Sequence, residues 1–390
     1  MSRLVPYEEA RRRVLARCAP LDPQAVAVDD ALGCVTSTVV TALTPVPSFA
    51  NSAMDGFAVR AGDTAGAPVT LGVVATIAAG AAADDVTVGP GQAARIMTGA
   101  PIPAGADAVV MVELTTTEGD KVTVEQPVDP GNHIRWPGDD IPAGAEVFPA
   151  GTVLGPGHLG VLANLGLKKV PVFPRVRVGV LSTGDELVTG QIQDSNRPAL
   201  LALCRQSGFE AVDLGCVGDE GAAIDAALRD GAARTDAVIT TGGVSAGDFD
   251  FVKRLLDTQL QVAIKPAKPL AFGVVDGTPV FGLPGNPVSS MVSFELFARP
   301  ALRQMMGFTA GALDRPHVAA TADEPLRRRP DGKTHFSRVV ATHDDRGWRV
   351  RSAGGQGSHQ LLAMARANAL AVLPDGDGVS AGERVTVMLL

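Results

Sequence analysis

The chain has 390 residues, which at about 100–200 residues per domain predicts two to four domains. Hydrophobic residues make up 46% and charged residues 19%, a composition that excludes an intrinsically disordered chain. Only 4% of the residues are aromatic, and 34 basic against 42 acidic side chains give a net charge of −8. This balance argues against nucleic-acid and membrane-surface binding and favours an enzyme that acts on small molecules.

Signals of export and membrane insertion are not found in the sequence. No apolar run reaches the roughly 18 residues of a membrane-spanning helix, and the N-terminal segment has scattered charges where a signal peptide would be apolar. The four cysteines show neither CxxC nor metal-ligand spacing. We therefore expect a cytoplasmic protein with free thiols.

The first part of the chain predicts a mixed domain interrupted by a β-rich one. A helix is expected over 6–16, where apolar residues recur at helical spacing, and a shorter helix over 157–165. Short β-like runs separated by turns fill 69–128. We predict a discontinuous mixed α+β linker and dimerisation domain of residues 1–43 and 141–172, which encloses a β-rich inserted domain of residues 44–140.

Strands and helices alternate from residue 173 to residue 309. The strands are expected over 175–182, 209–215, 236–241 and 278–283, and the helices over 198–207, 221–233, 250–259 and 287–298. This alternation predicts a doubly wound α/β domain with a parallel sheet and helices on both faces. Pro300 is expected to end or kink the last helix.

After residue 310 the pattern becomes all-β, with strands separated by turns such as PDGK and PDGDG. Residues 310–390 therefore predict a small β-barrel, or a sandwich, in which 361–370 could hold a turn of helix. The basic run Arg327-Arg328-Arg329 flanks a turn and is interpreted as solvated, with no function assigned. His335 is likewise expected at the surface.

Three polar, glycine-containing loops follow apolar strands of the α/β domain, at 182–186, 241–248 and 283–287. Ligands of open α/β sheets bind beyond the carboxyl ends of the strands, where backbone N–H groups approach anions closely. None of the loops is a Walker A or GxGxxG motif. Each also has a purely structural explanation, such as Asn286 as N-cap followed by Pro287, but three together favour a shared site.

Carboxylates are concentrated in these loops and near them, at Asp185, Glu186, Asp219, Asp248 and Asp250. Because carboxylates repel a bound phosphate, this pattern predicts Mg²⁺ between them. Asp219 could instead cap the helix that follows it. The scattered histidines and cysteines do not predict zinc.

Lys265 and Lys268 stand in the segment KPAKP, in a chain with only seven lysines. Two prolines stiffen this segment, so both ammonium groups could be held near one place, where an oxyanion would relieve their repulsion. The alternative is a solvated loop with separated lysines.

The chain resembles the MoeA family, the molybdopterin molybdenumtransferases that include the C-terminal domain of gephyrin. The resemblance covers essentially the whole chain and rests on eight segments in family order: SAMDGFAV, RIMTGAPIPAGADAVVMVE, PGDDIPAGA, STGDEL, DSNR, TTGGVSAGDFDF, IKPAKPLAFG and LPGNPVSS. It implies Mg²⁺-dependent hydrolysis of adenylylated molybdopterin, ligation of molybdate to the dithiolene, and release of AMP and molybdenum cofactor. It also implies a homodimer whose active site is shared between subunits, and transient contact with the adenylyltransferase and with recipient molybdoenzymes.

The resemblance implies four groups of site residues. The catalytic group is Asp55, Thr98, Glu186, Asp219 and Asp250, of which Glu186, Asp219 and Asp250 are also the expected metal ligands. The substrate-binding group is Asp140, Thr183, Gly184, Asp185, Asn196, Gly242, Gly243, Ser245, Pro284, Gly285 and Asn286. The molybdate-binding group is Lys265, Lys268, Arg338 and Ser358. Asp55 and Thr98 would enter the site of the partner subunit.

Two other functions are considered. A related α/β domain catalyses the preceding adenylyl transfer, but it is a single small domain, whereas this chain has further domains. A scaffold of the same fold is the second alternative, and the acidic loop, the paired lysines and the PGNP segment argue against it.

Overall fold

A computed structural model describes residues 4–81, 84–243 and 255–390. The first helix is Tyr7–Leu15, with acidic residues in its first turn and basic residues in its last, as the helix dipole favours. It buries Ala10 and Val14, and the Tyr7 ring lies 5.7 Å from those of Phe297 and Phe336. The helix predicted at the N-terminus is confirmed, and it packs against elements from the other end of the chain.

The linker region is built from short antiparallel strands and one helix. The strands Gln24–Ala27 and Val35–Thr36 flank Lys169–Phe173, and Val40–Thr41 pairs with Glu146–Phe148. The predicted short helix is present at Pro156–Asn164 and begins with proline, whose missing N–H costs nothing in a first turn.

The β-rich region between these pieces contains a six-stranded sheet. Its order is Ala108–Met111, Gly56–Val59, Gln92–Ile96, Val69–Ile77, Lys121–Val124 and Thr115–Glu118. Alternate residues of Gly56–Val59 enter different cores, with Phe57 in one and Ala58 in the other. Asn51–Ser52 and Ile134–Arg135 pair separately, where the chain enters and leaves this region.

The α/β region contains a second six-stranded sheet, in the order Glu210–Val217, Arg177–Thr183, Ala237–Thr241, Thr278–Leu283, Pro269–Val275 and Thr258–Gln261. The first four strands are parallel, and Pro269–Val275 is antiparallel to both of its neighbours, Thr278–Leu283 and Thr258–Gln261. The doubly wound fold is confirmed, with an antiparallel edge that the sequence analysis did not include. The helix predicted over 250–259 is wrong at its end, because Thr258 and Gln259 begin the edge strand, which pairs with Pro269–Val275. Residues 250–254 lie outside the described part.

Helices cover the sheet at Asn196–Gln206 and Gly221–Arg234, close to their predicted positions. The last helical run consists of Pro287–Ser293, the π-helical turn Phe294–Ala298 and Arg299–Met305. Pro300 therefore does not end the run, and the wider turn directly precedes the proline that cannot donate a backbone hydrogen bond. No described helix is both long and apolar enough to span a bilayer.

The C-terminal region is a closed barrel, as predicted. Its strands pair in a ring in the order Thr334–Asp344, Gly347–Ser352, His317–Ala322, Arg384–Leu389 and Ala369–Leu373, which returns to the first strand. Leu326–Arg327 and Gly378–Val379 form a small separate sheet. The possible helical turn is present as Leu361–Arg366.

The barrel and the α/β sheet are joined by backbone pairing. The short strand Ile264–Lys265 runs parallel to Thr334–His335 of the barrel. One core of buried side chains also extends from the first helix through the α/β sheet to Phe336 and Met388. The domain boundaries given above remain predictions.

Candidate functional site

The first two loops meet at the topological switch point of the α/β sheet. Strand Arg177–Thr183 lies between the next two strands of the chain, Glu210–Val217 on one side and Ala237–Thr241 on the other, so the strand order reverses there and its end is adjacent to that of Ala237–Thr241. Thr183 Oγ1 lies 3.5 Å from the carbonyl oxygen of Thr241. Gly242 has φ +97°, and a Cβ atom there would lie 2.6 Å from the Thr183 carbonyl oxygen. Gly243 also has positive φ, so a side chain is excluded at the point where the loops approach.

Asn196 joins this pair of loops to the third. Its Nδ2 donates hydrogen bonds of 2.7 Å to Thr241 Oγ1 and to the Gly285 carbonyl oxygen, and its Oδ1 is buried with no partner among the described residues. Thr241 Oγ1 also lies 3.4 Å from the Pro284 carbonyl oxygen. The structure therefore brings Thr183, Gly242 and Gly285, one predicted residue from each loop, close together, with the Asn196 amide oxygen among them.

Asn286 precedes the helix Pro287–Ser293, as the capping interpretation requires, but its side chain makes no capping hydrogen bond. The side chain is exposed beside Gly285. The Asn286 side chain therefore does not serve as the helix cap that was the purely structural explanation for this residue.

The acidic loop lies at the same edge of the sheet. A Cβ atom on Gly184 would be 2.6 Å from Glu186 Oε1, so the Glu186 side chain folds back over the loop. Asp185 Oδ1 accepts a hydrogen bond of 2.9 Å from the Asp219 N–H, which ties two of the predicted segments together. No group of three metal-ligating side chains forms within the described residues. Ser245, Asp248 and Asp250 lie outside the described part.

Two residues near this loop were not identified from the sequence. Asp194 accepts hydrogen bonds from the backbone N–H of Arg197 at 3.0 Å and from its Nε at 3.1 Å. Burial raises the pKa of Asp194, but the hydrogen bonds and the charge of Arg197 outweigh that effect and hold the pKa below its usual range. Arg197 also pairs with Asp213, so these groups fix the turn that carries Asn196. The sequence signal for both residues is the DSNR segment, which begins with Asp194 and ends with Arg197.

Lys265 and Lys268 line one cavity of about 490 Å³, which we call the lysine cavity. The complete lining is Ile264, Lys265, Pro266, Ala267, Lys268, Pro269, Ser289, Lys333, Gln356, Gly357 and Ser358. The Ser358 carbonyl oxygen accepts a hydrogen bond of 3.1 Å from the Val288 N–H, so the C-terminal loop is attached to the helix after the PGNP segment. The lysines are therefore gathered at one cavity, as the stiff segment predicts.

Arg338 is 1% exposed, and its Nη2 donates to the carbonyl oxygens of Gly355 and Gly357 at 2.9 and 3.1 Å. Burial lowers its pKa to about 10. It also lines a smaller cavity of about 210 Å³, whose wall includes Lys265. Arg338 therefore shapes the loop that leads to Ser358, and its Nε is buried without a partner among the described residues.

The interpretation of Arg328 as a solvated turn residue is wrong. Its side chain is 1% exposed, and its guanidinium donates to the carbonyl oxygens of Lys333 and Pro374 and to the carboxylates of Asp331 and Asp375. His335, expected at the surface, is 8% exposed beside Asp331. Both are buried because the barrel closes over the turn that carries them.

Asp55 and Thr98 form a pair within the inserted region. Asp55 Oδ1 accepts hydrogen bonds of 2.7 Å from the Thr98 N–H and of 2.9 Å from Thr98 Oγ1. These two bonds hold the pKa of Asp55 below its usual range, so the group is a carboxylate at neutral pH. Asp140 lies in the segment that returns to the linker, where its N–H donates to the Val46 carbonyl oxygen at 3.0 Å.

Three family models match successive parts of the chain. They are the MoeA N-terminal region (domains I and II) at residues 5–166, the probable molybdopterin binding domain at 179–304, and the MoeA C-terminal region (domain IV) at 320–390. Molybdopterin molybdenumtransferase 2 of Mycobacterium tuberculosis (strain ATCC 25618 / H37Rv) is 41% identical over 403 residues, which is 97% of this chain and 98% of the relative. The molybdopterin molybdenumtransferase of Haemophilus influenzae is 37% identical and covers 98% of both chains.

A solved structure agrees with these sequence relatives. The molybdopterin biosynthesis moeA protein of Pyrococcus horikoshii OT3 superposes with a TM-score of 0.77 at 31% identity, over 100% of both chains. A molybdenum cofactor biosynthesis protein of Pyrococcus furiosus shares the fold, with a TM-score of 0.61 at 22% identity. From the full-length identity and the order of its domains, this chain belongs to the molybdopterin molybdenumtransferase (MoeA) family.

Proposed function

We propose that this protein is the molybdenum-inserting transferase of molybdenum-cofactor biosynthesis, and that it uses adenylylated molybdopterin and molybdate as substrates. The observation that carries the proposal is the convergence of Thr183, Asn196, Gly242 and Gly285 at the switch point of the sheet. Glycine loops at the carboxyl ends of parallel strands suit a phosphorylated ligand, whereas Asn196 Oδ1, an acceptor, suits a hydrogen-bond donor of the substrate. The lysine cavity supplies the charge that a divalent oxyanion requires.

The proposed reaction has two parts. Water attacks the adenylyl phosphorus, the bond to the molybdopterin phosphate breaks, and AMP is released. Molybdate is held by Lys265 and Lys268, with Ser358 beside them and Arg338 behind the loop. The dithiolene sulfurs then bind molybdenum, and one oxo group takes the two thiol protons and leaves as water. Preorganised positive groups stabilise the charge that develops on the phosphate oxygens, so no nucleophilic side chain is required.

Mg²⁺ is proposed as the metal, and the donor set is chemically suitable for it. Carboxylates of the acidic loop and Asp219 lie at one edge of the sheet, and one or two carboxylates suffice because phosphate and water complete the shell of this ion. Glu186 and Asp219, with Asp250, would hold it. When bound, the ion would neutralise charge on the phosphoanhydride.

We further propose a homodimer in which Asp55 and Thr98 complete the site of the partner subunit. Several large apolar side chains of the linker region and of the segments joined to it are exposed in a single chain: Leu32, Val39, Leu43, Phe49, Trp136 and Val153. Exposed apolar groups of this kind mark protein–protein interfaces. The proposed location is the cytoplasm, in keeping with four cysteines that form no disulfide. Transient contacts with the adenylyltransferase and recipient molybdoenzymes are part of the same proposal.

One incubation tests the activity. Purified protein is mixed with adenylylated molybdopterin, molybdate and Mg²⁺, and AMP is measured together with the molybdenum cofactor. We expect release of AMP that stops when the metal is chelated. Absence of AMP would refute the proposal, whereas consumption of ATP with free molybdopterin would indicate an adenylyltransferase. Inertness in both assays would indicate a scaffold.

A further inference from the structure

A third lysine lies at the lysine cavity although no motif singled it out. We propose that Lys333 is an anion-binding residue of this cavity, a role that rests on the proposed function and extends it. Three of the seven lysines in the chain line the cavity, and none of the described residues that line it is Asp or Glu. Without an anion, three ammonium groups around about 490 Å³ repel one another.

Lys333 is held in place by the turn that carries it. Its Nζ donates to Asp331 Oδ2 at 3.0 Å, and its carbonyl oxygen accepts a hydrogen bond of 2.6 Å from Arg328 Nη1. Asp331 Oδ1 in turn accepts a hydrogen bond of 2.8 Å from Arg328 Nη2. The ammonium group has three donors, and the ion pair with Asp331 occupies one of them, so two can point to an oxyanion. A side chain fixed in this way loses little further entropy on binding.

Asp331 is a charged partner for Lys333 at neutral pH. Burial raises the pKa of Asp331, but hydrogen bonds from Lys333 and His335 lower it to about 2. The carboxylate is therefore charged at neutral pH and orients Lys333. It is not among the residues that line the lysine cavity.

The three lysines come from two different domains. Lys265 and Lys268 belong to the α/β region, whereas Lys333 belongs to the barrel. The barrel strand that begins one residue after Lys333 pairs with Ile264–Lys265, and the Thr334 N–H donates to the Ala263 carbonyl oxygen at 2.9 Å. This pairing sets Lys333 at a defined position relative to Lys265. An oxyanion between them would link the two domains.

A purely structural role for Lys333, through its ion pair with Asp331, is the competing explanation. The two explanations differ in what Lys333→Gln does to anion affinity. Loss of a structural ion pair would lower stability and leave the affinity for molybdate unchanged. Loss of a charged donor to the anion would weaken binding about tenfold or more.

The test is equilibrium dialysis of radioactive molybdate against the full-length protein, with no pterin present. Wild type is compared with Lys333→Gln, Lys333→Arg and the control Lys121→Gln, which removes an exposed lysine of the inserted region. We expect Kd to rise about tenfold or more in Lys333→Gln, to return to within about threefold of wild type in Lys333→Arg, and to stay unchanged in the control. Circular dichroism of each variant checks that the barrel is folded.

Wild-type affinity in folded Lys333→Gln would overturn the inference. So would wild-type protein without saturable molybdate binding, even if AMP is released as proposed above. If Lys333→Gln does not fold, crystals of wild type soaked with tungstate replace it, and the heavy-atom signal must lie within hydrogen-bond distance of Lys333 Nζ. AMP release is measured separately, so failure of the proposed function and failure of this inference are distinguishable.

Discussion

At the scale of single residues, the candidate site depends on where a side chain is forbidden as well as on where one is present. Gly242 adopts a left-handed backbone conformation, and the carbonyl and hydroxyl oxygens of Thr183 occupy the space in which its Cβ would lie. Gly285 faces Gly242 across the junction of the loops, but a Cβ there would make only an ordinary contact of 3.7 Å. A side chain is therefore excluded at Gly242 by both backbone conformation and space, whereas there is room for one at Gly285.

Gly242→Ala is expected to lower the free energy of unfolding by about 1–3 kcal/mol and to impair AMP release. Alanine is strained in the backbone conformation of residue 242, and its Cβ would push the loop away from Thr183. Gly285→Ala is the matched control and is expected to fold like the wild type. Urea unfolding and AMP release measure both effects. Equal stability of the two variants would contradict the prediction.

At the scale of elements, a buried ion cluster connects the last helical run to the segment that leads into the barrel. Glu295, in the π-helical turn, is 1% exposed in its side chain and accepts two hydrogen bonds of 3.0 Å from Arg315. Arg299 lies 3.8 Å from the same carboxylate and donates to the Leu313 carbonyl oxygen at 3.0 Å. Burial lowers the pKa of Arg299 to about 10. One carboxylate thus serves two largely buried guanidinium groups.

Glu295→Ala is expected to destabilise the protein by about 3–5 kcal/mol, because it leaves two buried arginines without their anion. Glu210→Ala breaks the exposed pair between Arg177 and Glu210 and is expected to change stability by at most about 1 kcal/mol. Urea unfolding followed by circular dichroism compares them. The prediction fails if both variants lose the same stability.

At the scale of the whole molecule, the proposed dimer makes the activity depend on two subunits. If Asp55 acts in the partner's site and Glu186 in its own, neither variant homodimer has a complete site. A mixed dimer of Asp55→Ala and Glu186→Ala has one complete site and one with both defects. Random exchange makes half of the dimers mixed, and each of these has half of its sites intact.

Mixing the inactive variants Asp55→Ala and Glu186→Ala, with subunit exchange, is expected to recover about a quarter of wild-type AMP release. A mixture of Asp55→Ala with Thr98→Ala serves as the control, because every shared site then carries one of the two defects, and it should recover nothing. Native mass spectrometry verifies that exchange has taken place. Mixed dimers without activity would exclude a site shared in this way.

Local patterns in the chain were enough to predict the elements whose cause is local. Helical periodicity predicted the helix over 6–16, present as Tyr7–Leu15, alternation predicted the doubly wound sheet, and turn spacing predicted the C-terminal barrel. The strand-end loops could also be recognised, because parallel strands bring their carboxyl ends to one edge. The resemblance carried by the motifs supplied the family.

Which distant groups meet depends on the three-dimensional fold. Thr258 and Gln259 fall at the end of the helix predicted over 250–259 but begin a strand, because the open edge beside Pro269–Val275 offers backbone partners. Arg328 and His335 become buried because the ring of strands closes over them. Lys333 reaches the lysine cavity through pairing between segments about 70 residues apart, and a contact of this kind leaves no local pattern in the sequence.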